Sequence, residues 1–322
     1  MNIIQALNQT LHQQFAIDDR LITFGEDCGF FGGVFRVTEG LQEKFGESRC
    51  FDTPLCEQGI VGFAIGCAQK GLKPICEIQF ADYIFPAFDQ IVNELAKMRA
   101  RTGNQYTSPV VIRTPYGGGI HGGYYHSQSP EALFLHTPGL KVVVISSPKD
   151  AKGLLTSAIK SEDPVILFEP KRIYRALKEE VPEGDYEIPF GQAELAREGS
   201  DITLVGWGAQ HHQNMQAAGE VAEEYDLDVE VINLRSLNPV DIETLSASVQ
   251  KTGRCVVAHE APKTGGFGAE ITSLVMEHCF LHLRAPVTRC CGLDTHFPHT
   301  LEEEYLTDAY KVKQALVNTV EF

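Results

Sequence analysis

The chain has 322 residues, 43% of them hydrophobic and 22% charged, so it belongs among globular proteins too long for one small core. Its formal net charge of −16 argues against a general nucleic-acid surface and against binding to anionic membranes. Nine cysteines, with no C-x-x-C pair and no zinc spacing, point to a reducing compartment, most simply a bacterial cytoplasm.

Apolar residues at 3, 4, 7, 11 and 15 form a helical stripe from Ile3 to Phe15. This N-terminus lacks the pattern of a secretory signal or an arginine-rich presequence; a presequence already removed would place the chain in the mitochondrial matrix instead. Leu21-Ile22-Thr23-Phe24 reads as a short buried strand, followed by the loop Gly25-Glu26-Asp27-Cys28-Gly29. Next comes Asp52-Thr53-Pro54-Leu55-Cys56-Glu57-Gln58-Gly59-Ile60-Val61-Gly62, where Glu57 heads an apolar, small-residue helix. Ile60, Val61, Phe63, Ala64, Ile65 and Ala68 leave little polar surface, so this helix is expected to be buried on most sides. A carboxylate at such a position is either a cap for first-turn amides or a group the protein uses.

Beyond Gly71 the pattern predicts a strand over 74–78 and a helix from Tyr83 to Arg101, ending in Lys97, Arg99 and Arg101 as the helix dipole favours. Between them lies an aromatic cluster, Gln79-Phe80-Ala81-Asp82-Tyr83, at the strand-to-helix handover where α/β sheets bind ligands. Tyr83 there either stacks on a flat heterocycle or belongs to the core. A strand at 110–113 runs into Gly117-Gly118-Gly119-Ile120-His121-Gly122, formally G-x-G-x-x-G. A dinucleotide fingerprint should open an apolar helix, and Gly123-Tyr124-Tyr125-His126 is not one, so an access loop holding His121 and His126 is the better reading. His126 stands just before the helix start Ser129-Pro130-Glu131 and is either a capping residue or an exposed proton donor or acceptor.

Strands at 142–145 and 165–168 flank a helix opened by Ser147-Pro148. The pattern lapses into charged, proline-containing sequence from Tyr174 to Gly191, then resumes with strands at 202–205, 229–232, 256–258 and 287–289 alternating with helices. The fold class is therefore α/β, in two domains, 1–185 and 186–322, each a mostly parallel sheet flanked by helices. There is no P-loop, Ser-His-Asp elbow or H-E-x-x-H, and no G-D-G motif of the kind that holds Mg²⁺ and a diphosphate in thiamine-diphosphate enzymes.

Taken in order, Asp52 to Gly62, Gln79 to Gln90, Tyr125-His126-Ser127-Gln128-Ser129-Pro130-Glu131, Ala151 to Leu155 and His259 to Phe267 resemble the beta subunits of branched-chain 2-oxoacid dehydrogenases, in the transketolase-like superfamily. The resemblance covers the whole chain. It implies a pyrimidine-binding domain followed by a transketolase C-terminal domain, and decarboxylation of 3-methyl-2-oxobutanoate (EC 1.2.4.4) on thiamine diphosphate with reductive acylation of a lipoyl group. The implied partners are an alpha subunit in an α2β2 heterotetramer, holding the diphosphate and Mg²⁺, and the lipoyl acyltransferase core with its subunit-binding domain. By resemblance Glu57 bonds the pyrimidine N1′ and shares a proton there, Leu55, Gln79 and Tyr83 line the pyrimidine pocket, and His126 donates a proton during lipoyl acylation. A structural K⁺ on backbone carbonyls would fall at Ala158, Ser161 and Asp163. Two rival readings are a pyruvate dehydrogenase beta subunit and a non-catalytic assembly subunit.

Overall fold

The computed structural model describes all of residues 1–322 and consists of two compact units. The first takes residues 1–116 and 133–190, the second 117–132 and 191–322.

The first unit opens with α1 (Ile3–Ile17), started by a reciprocal capping box in which Asn2 accepts from Gln5 N–H and the Gln5 side chain accepts from Asn2 N–H. Its strands are β1 (Leu21–Gly25), β2 (Cys50–Asp52), β3 (Lys73–Glu77), β4 (Val111–Tyr116), β5 (Lys141–Val144) and β6 (Val165–Pro170). They run in the order β5-β6-β4-β3-β1-β2, and every pairing is parallel. Strands β1 and β4 are buried at every position, as the continuous apolar runs of a doubly covered parallel sheet require. Between β1 and β3 lie the short α2 (Leu41–Phe45) and then α3 (Glu57–Gln69), which packs through Phe63 onto Phe24 and Phe51 at ring distances of 5.1 and 6.1 Å.

The expected helix from Tyr83 to Arg101 is broken. Two 3₁₀ turns, Ala81–Tyr83 and Phe85–Ala87, lead into a π-helical turn, Gln90–Leu95, before α4 (Met98–Arg101). Pro86 supplies no N–H, and the ladder shifts register so that Ala96 N–H bonds Ile91 O at 3.0 Å. Helix α5 (Glu131–Leu135) begins one residue later than Pro130, and α6 (Pro148–Lys160) begins as its cap predicts, with Asp150 N–H bonding Ser147 Oγ at 3.1 Å.

The second unit holds β7 (Glu194–Arg197), β8 (Ile202–Gly206), β9 (Val229–Asn233), a short β10 (Ser236–Asn238), β11 (Cys255–Pro262) and β12 (Thr288–Gly292). Its five-stranded sheet has the order β12-β11-β8-β9-β7, parallel except for the edge strand β7, which runs antiparallel to β9. The helices are α7 (Ala209–Tyr225), α8 (Ile242–Thr252), α9 (Gly268–Cys279), α10 (Glu302–Tyr305) and α11 (Ala309–Val320). Leu204, Val231 and Val256 of the sheet pack with Val221 of α7 and Val312 and Leu316 of α11 to form one core. No helix is long and apolar enough to cross a membrane.

Candidate active site

In the first unit the carboxyl ends of adjacent strands β2, β1 and β3 deliver three stretches to one edge of the sheet. Glu26 follows β1, Leu55 and Glu57 follow β2, and Gln79 and Tyr83 follow β3. This edge is where parallel α/β sheets bind ligands. Gly25 is needed for the strands to close up there, since a Cβ on it would stand 2.6 Å from Glu77 O.

Glu57 is the first residue of α3, where a carboxylate complements the helix dipole. It is half-buried rather than enclosed. The expectation that α3 would be buried on most sides is not met. Gln58, Gly59 and Gly66 are exposed and Phe63 is 52% exposed, because the glycines at 59 and 66 give the helix a bare face with no side chains to bury. Leu55 is 82% exposed, a large apolar side chain presented at the site.

Glu26, at this edge, is deeply buried, only 7% exposed, and its Oε1 lacks any hydrogen-bond partner. Burial pushes its carboxyl up to about 6, and the nearby charge of Glu57 adds to the rise. Burial likewise raises the Tyr83 hydroxyl, with Asp82, Glu26 and Glu57 adding to the rise. Tyr83 packs edge-on against Phe80, which meets Phe35, which meets Tyr174. Tyr174 donates to Glu169 Oε2 at 2.6 Å. Glu169 and Glu77 both pair with Arg113, at 2.7 and 2.9 Å, and all three are at most 4% exposed. The chain of rings that starts at Tyr83 thus ends on a buried ion network, in which the charges are paired as buried charges must be.

The sequence reading missed Glu26 and this network. A usable signal was present: Glu77 and Arg113 interrupt otherwise apolar strands, and the β3–β4 register sets them side by side.

His126 belongs to the second unit. It follows a single 3₁₀ turn, Gly123–Tyr125, and is half-buried. Glycine at 122 is required, because a Cβ there would lie 2.6 Å from His126 Cβ. Beside the turn is a cavity of about 490 Å³ lined by Tyr124, Tyr125, Gln128, His296, Phe297 and Tyr305. Loop 117–122 opens no helix, so it has none of the geometry of a dinucleotide cradle.

Ala158, Ser161 and Asp163 lie at the opposite end of the first unit's sheet, just before β6. Lys141 Nζ donates to Ser161 Oγ at 3.0 Å, and Asp163 pairs with Lys141 at 3.4 Å and with Arg99 at 2.5 Å. The Ala158 carbonyl accepts from Ser161 N–H at 3.2 Å, and the Asp163 carbonyl from Ser161 Oγ at 2.8 Å. Two cationic side chains already serve this cluster, so it fits a potassium ion poorly.

Residues 1–176 match the model of the transketolase pyrimidine-binding domain, and residues 191–312 that of the transketolase C-terminal domain. The 2-oxoisovalerate dehydrogenase subunit beta 2, mitochondrial, of Arabidopsis thaliana is 57% identical over all of this chain and 90% of its own length. The chain belongs to the 2-oxoacid dehydrogenase beta-subunit family. A pyruvate dehydrogenase E1 component subunit beta of Staphylococcus epidermidis, in the same family, is 45% identical over all of this chain and 99% of its own. A solved split-gene transketolase, an inactive beta4 tetramer, superposes with a TM-score of 0.80 over all of this chain and 98% of that one; at 22% identity it shows the fold alone. Within the family's pyrimidine-binding domain, Glu57 and its neighbours occupy the sheet edge described above.

Proposed function

We propose that this chain is the beta subunit of an α2β2 dehydrogenase that decarboxylates branched-chain 2-oxoacids on thiamine diphosphate and passes the acyl group to a lipoyl domain. The observation that carries the reading is Glu57 at the head of α3, beside the buried, high-pKa Glu26 and the exposed Leu55. These residues suit a flat, half-polar pyrimidine: a carboxyl to share a proton, an apolar side chain to press on a ring, and a phenol held edge-on by Phe80. When bound, the cofactor supplies the carbanion chemistry and the electron sink. Glu57 holds the proton shared with the pyrimidine N1′, and Leu55, Gln79 and Tyr83 orient the ring. The buried network on which the chain of rings ends keeps Tyr83 rigidly placed.

The diphosphate and Mg²⁺ would be held by the alpha subunit, since this chain has no G-D-G motif. The bare face of α3 suits burial against that partner. In the second unit His126 serves as general acid toward the opening dithiolane, reached by a lipoyl arm through the adjoining loop. The acyltransferase's subunit-binding domain is the further partner. A K⁺ at the carbonyls of Ala158, Ser161 and Asp163 has the Lys141 ammonium working against it; a Tm no higher in KCl than in NaCl would remove it. The nine free thiols suit a reducing compartment, cytoplasmic in a bacterium.

A higher identity to a 2-oxoisovalerate dehydrogenase subunit than to a pyruvate dehydrogenase subunit favours the branched-chain substrate. The test is the reconstituted α–β enzyme supplied with 3-methyl-2-oxobutanoate or pyruvate. We expect a preference for the former, and loss of decarboxylation by about a hundredfold or more in Glu57→Gln. A preference for pyruvate would overturn the substrate, and unchanged turnover in the variant would make the chain an assembly subunit.

A further inference from the structure

The segment 117–132 follows β4 of the first unit in sequence but packs as part of the second unit. Its start is fixed by a bond from Gly117 N–H to Gln128 O at 3.0 Å. At Gly117, with φ +79°, a Cβ would stand 2.7 Å from Glu260 Oε2, so the backbone lies directly on that carboxyl group. Midway, His121 N–H donates to Glu302 Oε2 at 3.0 Å. The segment's end is fixed by Glu131. Glu131 is 1% exposed; its Oε1 accepts from Trp207 Nε1 at 3.3 Å, and its Oε2 has no hydrogen-bond partner. Trp207 is itself 2% exposed and stacks on His259, ring centres 5.3 Å apart.

We propose that Glu131 is a positioning residue, its neutral carboxyl clamping segment 117–132 onto the second unit and thereby placing His126, and its ionisation releasing the segment. The charged and titratable groups facing it are Glu260 on β11 and Tyr305 on α10, whose hydroxyl feels both carboxyls. Trp207 carries no charge, and His259 behind it is kept neutral because burial pushes it down to about 4. An ionised Glu131 would stand at a buried position beside the Glu260 carboxyl group, an arrangement that disfavours its charge. In agreement, burial pushes Glu131 up to about 7, with Glu260 adding to the rise and the Trp207 bond opposing it.

The closed segment binds this proton more tightly than the open one, in which the carboxyl returns to its ordinary 4.5. Opening therefore releases a proton, and the clamp is strongest below 4.5 and is lost as pH rises to about 7. The catalytic consequence rests on the role given to His126, whereas the clamp does not.

Hydrogen exchange of peptide 117–130 in the assembled α–β protein, corrected for intrinsic rates, tests it. Opening should increase by roughly tenfold per pH unit between 4.5 and 7, then level off. Glu131→Gln, which keeps an acceptor for Trp207 but cannot ionise, should remove that pH dependence, and Glu131→Ala should expose the segment at every pH. A pH-independent wild type, or a glutamine variant as pH-dependent as wild type, overturns the clamp. Should the alanine variant fail to fold, the glutamine comparison decides alone. Exchange as expected together with lipoyl acylation that ignores segment opening supports the clamp and overturns the role of His126 instead.

Discussion

Glu26 and Glu57 differ in what surrounds them. Glu57 stands half-buried at a helix N-terminus, whereas Glu26 sits almost wholly buried with one oxygen unsatisfied and Glu57 close by. The first arrangement can share a proton with a ligand; the second stores an unfavourable charge above its raised pKa. Because the folded value, about 6, lies above the ordinary 4.5, the stability Glu26 contributes is complete below 4.5 and lost as pH rises through 6. Glu26→Gln should accordingly raise the Tm of the isolated chain at pH 7.5 by roughly 2–4 °C and leave it nearly unchanged at about pH 4, below both pKa values. Thermal melts at the two pH values check this; an equal shift at both would show that packing, not charge, decides. Glu57 was legible in the sequence because it heads an apolar run. Glu26 was not, since a Gly-Glu-Asp loop after a strand gives no sign of how deeply its carboxyl is set.

Helix α3 shows where periodicity stops being informative. Apolar periodicity located the helix correctly at Glu57–Gln69, as it did β1, β3, β8 and α6. It could not tell burial within this chain from burial against another, and residues 59, 63 and 66 form a face that the chain leaves bare. The strand β2 and the antiparallel edge β7, three and four residues long, are too short to carry a period at all. The broken stretch after Tyr83 escaped because a π-turn keeps nearly helical side-chain spacing while its hydrogen bonds shift. For α3 the consequence is testable. A Cβ at Gly66 meets no atom within 4 Å, so Gly66→Ala should stabilise the isolated chain by about 1 kcal/mol through helix propensity. Gly66→Leu should leave the fold intact yet weaken association with the alpha subunit at least about tenfold, or 1.4 kcal/mol. Calorimetric titration of the two subunits measures it, and unaltered affinity would place the partner elsewhere.

At the scale of the molecule, the candidate site residues divide between the units. The acids at the sheet edge and the residues that line it belong to the first; His126, its glycine turn and its aromatic cavity belong to the second. The second unit takes in residues 117–132 from within the first run of strands, and no composition shift in the sequence marks that stretch. The division predicts that the two half-reactions can be separated by mutation. On the proposed reading, decarboxylation would need the proton shared at Glu57 and no group from the second unit's loop, and transfer to the dithiolane would need a proton delivered where the lipoyl arm arrives. In the assembled enzyme, His126→Ala should retain decarboxylation to an artificial acceptor within about threefold and lose lipoyl acylation by about a hundredfold, the range of a single general acid. Both rates are measured on one preparation, so misfolding or poor assembly would depress them together. Equal loss of both would assign His126 to the site's architecture and leave the proton for the dithiolane to another group.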